Sequence, residues 1–149
     1  MRGLEEETKR CFVDTNIWLY AFVESDNATK REVAKAVVGR QDVIVSTQVI
    51  DETCVNLLKK ALLPEETIRQ LVIAFYEKYA VTAIDRSTLL IASELREKYS
   101  LSFWDSMIVA SALLAGCEIL YTEDMQDGLE MEGQLTIVNP FKVKQGNGD

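Results

Sequence analysis

The chain has 149 residues, 48% of them hydrophobic, a length and composition suited to one domain with a sizeable core. It contains no histidine, which excludes the Ser-His-Asp triad, the Cys-His pair, imidazole acid–base chemistry and histidine-rich zinc sites. A formal charge of -8 argues against holding nucleic acid by a broad basic field, so a bound cation or a basic partner would have to reverse it locally.

Cys11, Cys54 and Cys117 are far apart and flanked by apolar residues, which predicts buried free thiols. Neither GxxxxGK[ST] nor GxGxxG occurs among the seven glycines. No apolar stretch approaches the ~20 residues that cross a bilayer. Residues 1–10 carry Glu5, Glu6 and Glu7 and lack the apolar run of a signal peptide. The expectation is a cytoplasmic protein without membrane contact, with an N-terminal extension over 1–10, one domain over 11–141 and a disordered tail over 142–149.

In chain order, the apolar run Cys11-Phe12-Val13 predicts a buried strand. Ile17 to Val23 predicts a short helix, and Asn27 to Val38 a second one closed by Gly39. Val43-Ile44-Val45 predicts a strand, followed by an N-cap at Ser46 or Thr47 and a helix from Gln48 to Leu62. Pro64 with Glu65 and Glu66 opens a helix that reaches about Lys78. Val81 to Ile84 predicts a third strand, and Asp85 caps a helix to Lys98. Ser102 opens an apolar helix, Trp104 to Ala115, which Gly116 ends. Glu118 to Tyr121 and Leu135 to Val138 are the last two strands. Short β-branched runs separated by helices predict an α/β domain: an open, mostly parallel sheet of about five strands with helices on both faces.

Acidic motifs stand where apolar runs meet polar breaks. Asp14-Thr15-Asn16 follows the first strand, and Thr122-Glu123-Asp124 follows the fourth, so both face the carboxyl edge of a parallel sheet, where ligands of open α/β sheets bind. Each also suits a cap or turn. Asp105 is the single acid of a helix whose following residues, Ser106 to Ala115, are uncharged, although Ser102-x-x-Asp105 also matches a variant capping box. Asp51 and Glu52 lie in the first turns of the third helix. A helical wheel through Ile50, Cys54 and Leu58 slightly favours Asp51 over Glu52 as the acid facing the cleft, although by periodicity alone a solvated helix start that suits the macrodipole is the better account of both.

These residues carry a resemblance. Phe12-Val-Asp-Thr-Asn-Ile17, Ser46-Thr-Gln-Val-Ile-Asp-Glu52, Leu101-Ser-Phe-Trp-Asp-Ser106, Tyr121-Thr-Glu-Asp-Met-Gln-Asp-Gly128 and Ile137-Val-Asn-Pro-Phe141 occur in the order found in PIN-domain ribonucleases. The chain resembles that family over Cys11 to Phe141, in particular its VapC-like members, the toxins of type II toxin–antitoxin pairs. One departure is Asp127, where close relatives often have histidine.

The resemblance implies a divalent-metal nuclease whose catalytic acids are Asp14, Glu52, Asp105 and Asp124, and it selects Glu52 against the wheel. Asp14, Asp105 and Asp124 would hold Mg2+ or Mn2+, hard cations that prefer oxygen ligands. Thr15, Asn16, Thr122 and Glu123 would support them, and Glu123 is a further candidate for the fourth acid. The implied substrate is single-stranded or structured RNA, and the implied partners are a basic antitoxin and a second copy of the chain. A PIN nuclease of RNA processing would present the same acids. The rivals are a non-catalytic α/β binding module and a metal-dependent phosphatase, although the latter lacks an Asp-x-Asp pair because residue 16 is Asn.

Overall fold

The computed structural model describes residues 8–23 and 27–142. Its strands are β1 (Cys11–Val13), β2 (Val43–Ser46), β3 (Ala80–Thr82), β4 (Ile119–Tyr121), β5 (Glu130–Met131) and β6 (Leu135–Val138). The helices among these residues are α1 (Thr15–Phe22), α2 (Ala28–Val38), α3 (Thr47–Lys59), α4 (Glu65–Lys78), α5 (Arg86–Lys98) and α6 (Phe103–Leu114). One sheet runs in the order β3-β2-β1-β4-β6-β5, and every pairing is parallel except that of β5 with β6. The expected α/β architecture holds, with one strand more than expected.

That extra strand is Glu130–Met131, whose two residues offer no β-branched run to read. The third strand starts and ends earlier than expected, at Ala80 and Thr82 rather than Val81 and Ile84. The first helix begins at Thr15, not Ile17, because the Asp14 carboxylate accepts from the Thr15 N–H and caps it. Ser46 caps α3 through the Val49 N–H, Asp85 and Thr88 form a reciprocal capping box on α5, and Ser102 caps α6 through the Asp105 N–H.

Cys11 and Cys117 are buried free thiols, whereas Cys54 is only partly buried, at the margin of the buried face of α3. Arg10 was expected in the extension, yet it is tied to the domain. Its Nη1 donates to the Ala115 carbonyl at 2.8 Å, its Nε to Asp42 at 3.1 Å, and its carbonyl accepts from Glu118. The rest of the expected extension before Thr8, and the tail from Val143, lie outside the described residues.

β1 is central and buried throughout, with β2 and β4 paired to its two sides. Chain order reverses direction across this strand, which makes its carboxyl end the switch point of the sheet. Trp18 locks α1 over that end. It is fully buried, donates from its indole nitrogen to the Val13 carbonyl at 3.0 Å, and meets the edges of Phe75 and Tyr79 with centroids 4.9 Å away in each case. α6 is buried from Ser106 to Ala112, as an uncharged helix enclosed by its neighbours must be. Its exposed first turn carries Asp105 to the same edge as Asp14.

Candidate active site

Asp14 is the most constrained acid of the domain. Its N–H donates to the Tyr121 carbonyl at 3.0 Å, which continues the ladder between β1 and β4 by one residue. Its side chain, 6% exposed, accepts from the Thr15 N–H at 2.7 Å on Oδ1 and from the Thr122 hydroxyl at 2.9 Å on Oδ2. The Thr122 hydroxyl in turn accepts from the Asp124 N–H at 3.2 Å, so one buried side chain fixes the loops after both strands.

The other acids are held around it. Asn16 donates from Nδ2 to Asp124 Oδ2 at 3.0 Å, and the Thr15 hydroxyl donates to Glu52 Oε1 at 2.8 Å. Glu52 also accepts from Gln48 Nε2 at 3.3 Å. Asp51 is exposed and Glu52 half-buried, the reverse of what the helical wheel favours. The wheel was drawn through apolar residues, whereas the buried face of α3 is Gln48, Val49, Ile50, Thr53 and Leu57. Two polar residues thus belong to that face, and they rotate it toward Glu52.

Burial pushes Asp14 up to about 6; the bonds from Thr15 and Thr122 oppose this, and the charges of Asp105 and Asp124 add to it. Asp105 is also raised, first by burial and then by repulsion from Asp124 and Glu52, against the bond to Ser102. Asp14 and Asp105 thus each feel like charge from their neighbours, with Asp124 common to both.

Glu123 has a different environment. It pairs with the Lys30 ammonium and accepts from the Tyr20 hydroxyl at 3.0 Å. Lys30 also lies over the rings of Tyr20 and Phe141, at 4.9 and 5.1 Å from their centroids. Asp127 accepts from the Asn139 N–H at 2.8 Å and so joins the turn after β6.

Among the described residues no three His, Cys, Asp or Glu side chains surround one point closely enough to hold a metal ion as they stand. The donor chemistry nevertheless fits a hard cation. All four acids offer oxygen, and a carboxylate oxygen that accepts one hydrogen bond keeps a second lone pair. Asn16 Oδ1 is buried without a hydrogen-bond partner beside them. Asp14, Glu52 and Asp124, each accepting from a threonine or asparagine, and Asp105 in the first turn of α6 form a site in which added positive charge relieves repulsion. Sequence reasoning assigned no role to Lys30 or Gln48. The position of Gln48 one helical turn before Glu52 was the available signal for the second.

An acid-lined carboxyl edge at the switch point of a parallel sheet is where open α/β domains bind their ligands. The PIN domain family profile matches residues 11–126, and the chain belongs to that family. No curated sequence matches it. Among solved structures it is similar to a toxin–antitoxin complex from Klebsiella pneumoniae, with 21% identity over 89% of this chain and 99% of the other and a TM-score of 0.66. The sarcin–ricin loop cleaving toxin VapC20 of Mycobacterium tuberculosis shares 21% identity over 74% of this chain and 86% of the other, with a TM-score of 0.58. DNA-bound VapBC from Salmonella typhimurium gives 17% identity over 87% and 98%, with a TM-score of 0.58. At these identities the shared feature is the fold.

Proposed function

We propose that the chain is a Mg2+- or Mn2+-dependent endoribonuclease and the toxin of a type II toxin–antitoxin pair. One observation carries the catalytic reading: a buried aspartate, Asp14, is pushed up to about 6 by burial and then by its like-charged neighbours Asp105 and Asp124. Like-charged acids gathered at a cleft edge are a mark of functional sites rather than of stability. Family membership and the structural likeness to toxin–antitoxin complexes support the biological reading.

Asp14, Asp105 and Asp124 would hold the cation, with Asn16 and Thr122 orienting them and Glu52 orienting the attacking water. When bound, the cation supplies Lewis acidity and the lowered pKa of a bound water. The reaction is hydrolysis. The water oxygen bonds to phosphorus, the bond from phosphorus to O3′ breaks, and O3′ takes up a proton, which leaves a 5′-phosphate and a 3′-hydroxyl. The missing histidines favour water over the substrate 2′-hydroxyl as nucleophile, because the 2′-hydroxyl route commonly uses acid and base groups that titrate near neutrality. A basic antitoxin segment suits the acidic cleft and the net charge of -8, and a homodimer accompanies this reading.

The test is calorimetric titration of Mg2+ and Mn2+ into the purified chain, followed by end-group analysis of cleaved single-stranded RNA. Saturable cation binding that Asp14→Asn abolishes, together with 5′-phosphate products from RNA with one 2′-deoxy nucleotide at the cut, is expected. A 2′,3′-cyclic phosphate product, or wild-type cleavage by Asp14→Asn, would overturn it.

A further inference from the structure

A cavity of about 300 Å3 lies between the N-terminal turns of α3 and α6, lined by Thr47, Gln48, Asp51, Glu52, Ile84 and Trp104. Its size is at the lower end of small-molecule sites, roughly 300–1,000 Å3. Because Glu52 belongs to this cavity and to the acid cluster, the two are adjoining parts of one surface.

The polar lining is dominated by acceptors. Gln48 is 6% exposed, and its Nε2 faces Glu52 Oε2 at 3.3 Å and the Trp104 carbonyl at 3.4 Å. Two acceptors on that side identify the amide nitrogen. The Gln48 carbonyl oxygen is left buried without a hydrogen-bond partner among the described residues, a costly state unless a ligand donor meets it. Asp51 and Glu52 add carboxylate acceptors.

Trp104 is the aromatic part of the lining, with Phe103 packed beside it outside the cavity. Trp104 is 58% and Phe103 48% exposed, and their rings meet edge to face at 5.0 Å. Arg96 braces this pair from behind, with its guanidinium 4.6 Å from the Phe103 centroid and Nη1 donating to Ser106 at 2.7 Å. An exposed indole held in this way is a ready stacking face.

We propose that this cavity binds one nucleobase of single-stranded RNA next to the scissile phosphate, with the base stacked on Trp104 and its N–H groups donated to Gln48 Oε1 and the neighbouring carboxylates. The proposal rests on the endoribonuclease reading. Carboxylates repel a phosphate, so the occupant is a neutral ring and the backbone lies toward the cation. Single-stranded RNA offers unstacked bases to aromatic side chains and to hydrogen bonding along their edges. An edge met only by acceptors is favoured in proportion to its donors. Guanine, with adjacent N1–H and 2-amino groups, has the most.

The chain has two tryptophans, and Trp18 is fully buried, so fluorescence quenching by a short oligonucleotide reports on Trp104. Unstructured RNAs that differ in one base, and one abasic at that position, are titrated in EDTA and again in Ca2+. Guanine is expected to bind tightest and the abasic RNA roughly 5- to 150-fold more weakly than the guanine RNA, the range of one base stack. Trp104→Ala removes the difference between base and abasic RNA, Trp104→Phe restores part of it, and Gln48→Leu levels the guanine preference while circular dichroism stays unchanged. Equal binding of abasic and base-bearing RNA, equal binding of the four bases, or quenching by a basic peptide and by no RNA overturns the proposal. Base-dependent quenching without cleavage in Mg2+ supports the base site and counts against the nuclease reading alone.

Discussion

Glu123 and Asp124 are neighbours in the chain with opposite electrostatic environments. Glu123 meets the Lys30 ammonium and the Tyr20 hydroxyl, a closed arrangement in which charge is already balanced. Asp124 turns the other way, toward Asn16, and its charge adds to the burial that raises Asp14 and Asp105. One half of the loop is neutralised by the protein itself. The other half, like Asp14, accepts from neutral donors, Asn16 for Asp124 and Thr15 and Thr122 for Asp14, an arrangement that agrees with the proposed cation site.

The sharpest way to break this contrast is to remove charge from the unbalanced half. Asp14→Asn, Asp105→Asn or Asp124→Asn should each lower Mg2+-dependent RNA cleavage by on the order of 10²-fold or more, since even groups that only orient metal ligands are worth ~10–100-fold. Single-turnover cleavage at saturating RNA measures it, and wild-type turnover by any of these variants would dissolve the proposed cluster.

The parallel sheet, its helices and the strand-exit positions of Asp14 and Thr122 were legible because short apolar runs ending in polar residues are a local signal. Two features were not. Glu130–Met131 forms a strand only because β6 is there to pair with it, and no property of two residues announces that. The side of α3 that faces the cleft depends on buried Gln48 and Thr53, polar residues that a hydrophobic wheel assigns to solvent. Glu123 carries the same lesson, since Lys30 approaches it from a helix far away in sequence. Capping and ligation were posed as alternatives for Asp14, yet its carboxylate caps α1 and joins the acid group at once.

The second expected effect is on stability. Because Asp14 is raised from 3.8 to about 6, its contribution is fully present below pH 4 and is lost as pH rises through 6, where the charged form must be buried. In metal-free protein Asp14→Asn should therefore be more stable than wild type by up to about 3 kcal/mol at pH 8, the worth of a shift of that size, with the gain vanishing below pH 4. Urea unfolding in EDTA across this range measures it. A gain that grows toward low pH would reverse the assignment.

Next in size is the support around the acids. Asn16→Ala leaves Asp124 without its amide donor and removes an orphaned oxygen, so Mn2+ affinity should fall by ~10–100-fold while the fold is kept. Calorimetric titration checks this, and unchanged affinity would mean that the amide has no part in the site.

The smallest effect should come from the balanced half. Glu123→Gln breaks the pair with Lys30 but leaves the acid group untouched, so cation affinity should stay at the wild-type value. A marked loss of Mn2+ binding would move Glu123 into the site and erase the contrast between the two halves of the loop.

The central position of β1 also has a kinetic consequence. Asp14 extends the most enclosed strand of the sheet, and its amide is bonded to Tyr121. Asp124 lies on an exposed loop and is held there by single hydrogen bonds to Asn16 and Thr122. Local opening follows such differences, with loops opening at far lower free energy than central strands. Amide protons around Asp14 should exchange only when the domain unfolds, while those from Glu123 to Asp127 exchange through small openings. Cation binding at Asp14 and Asp124, as proposed, would slow the second group and leave the first unchanged, so that the loop would settle onto a strand already fixed in place.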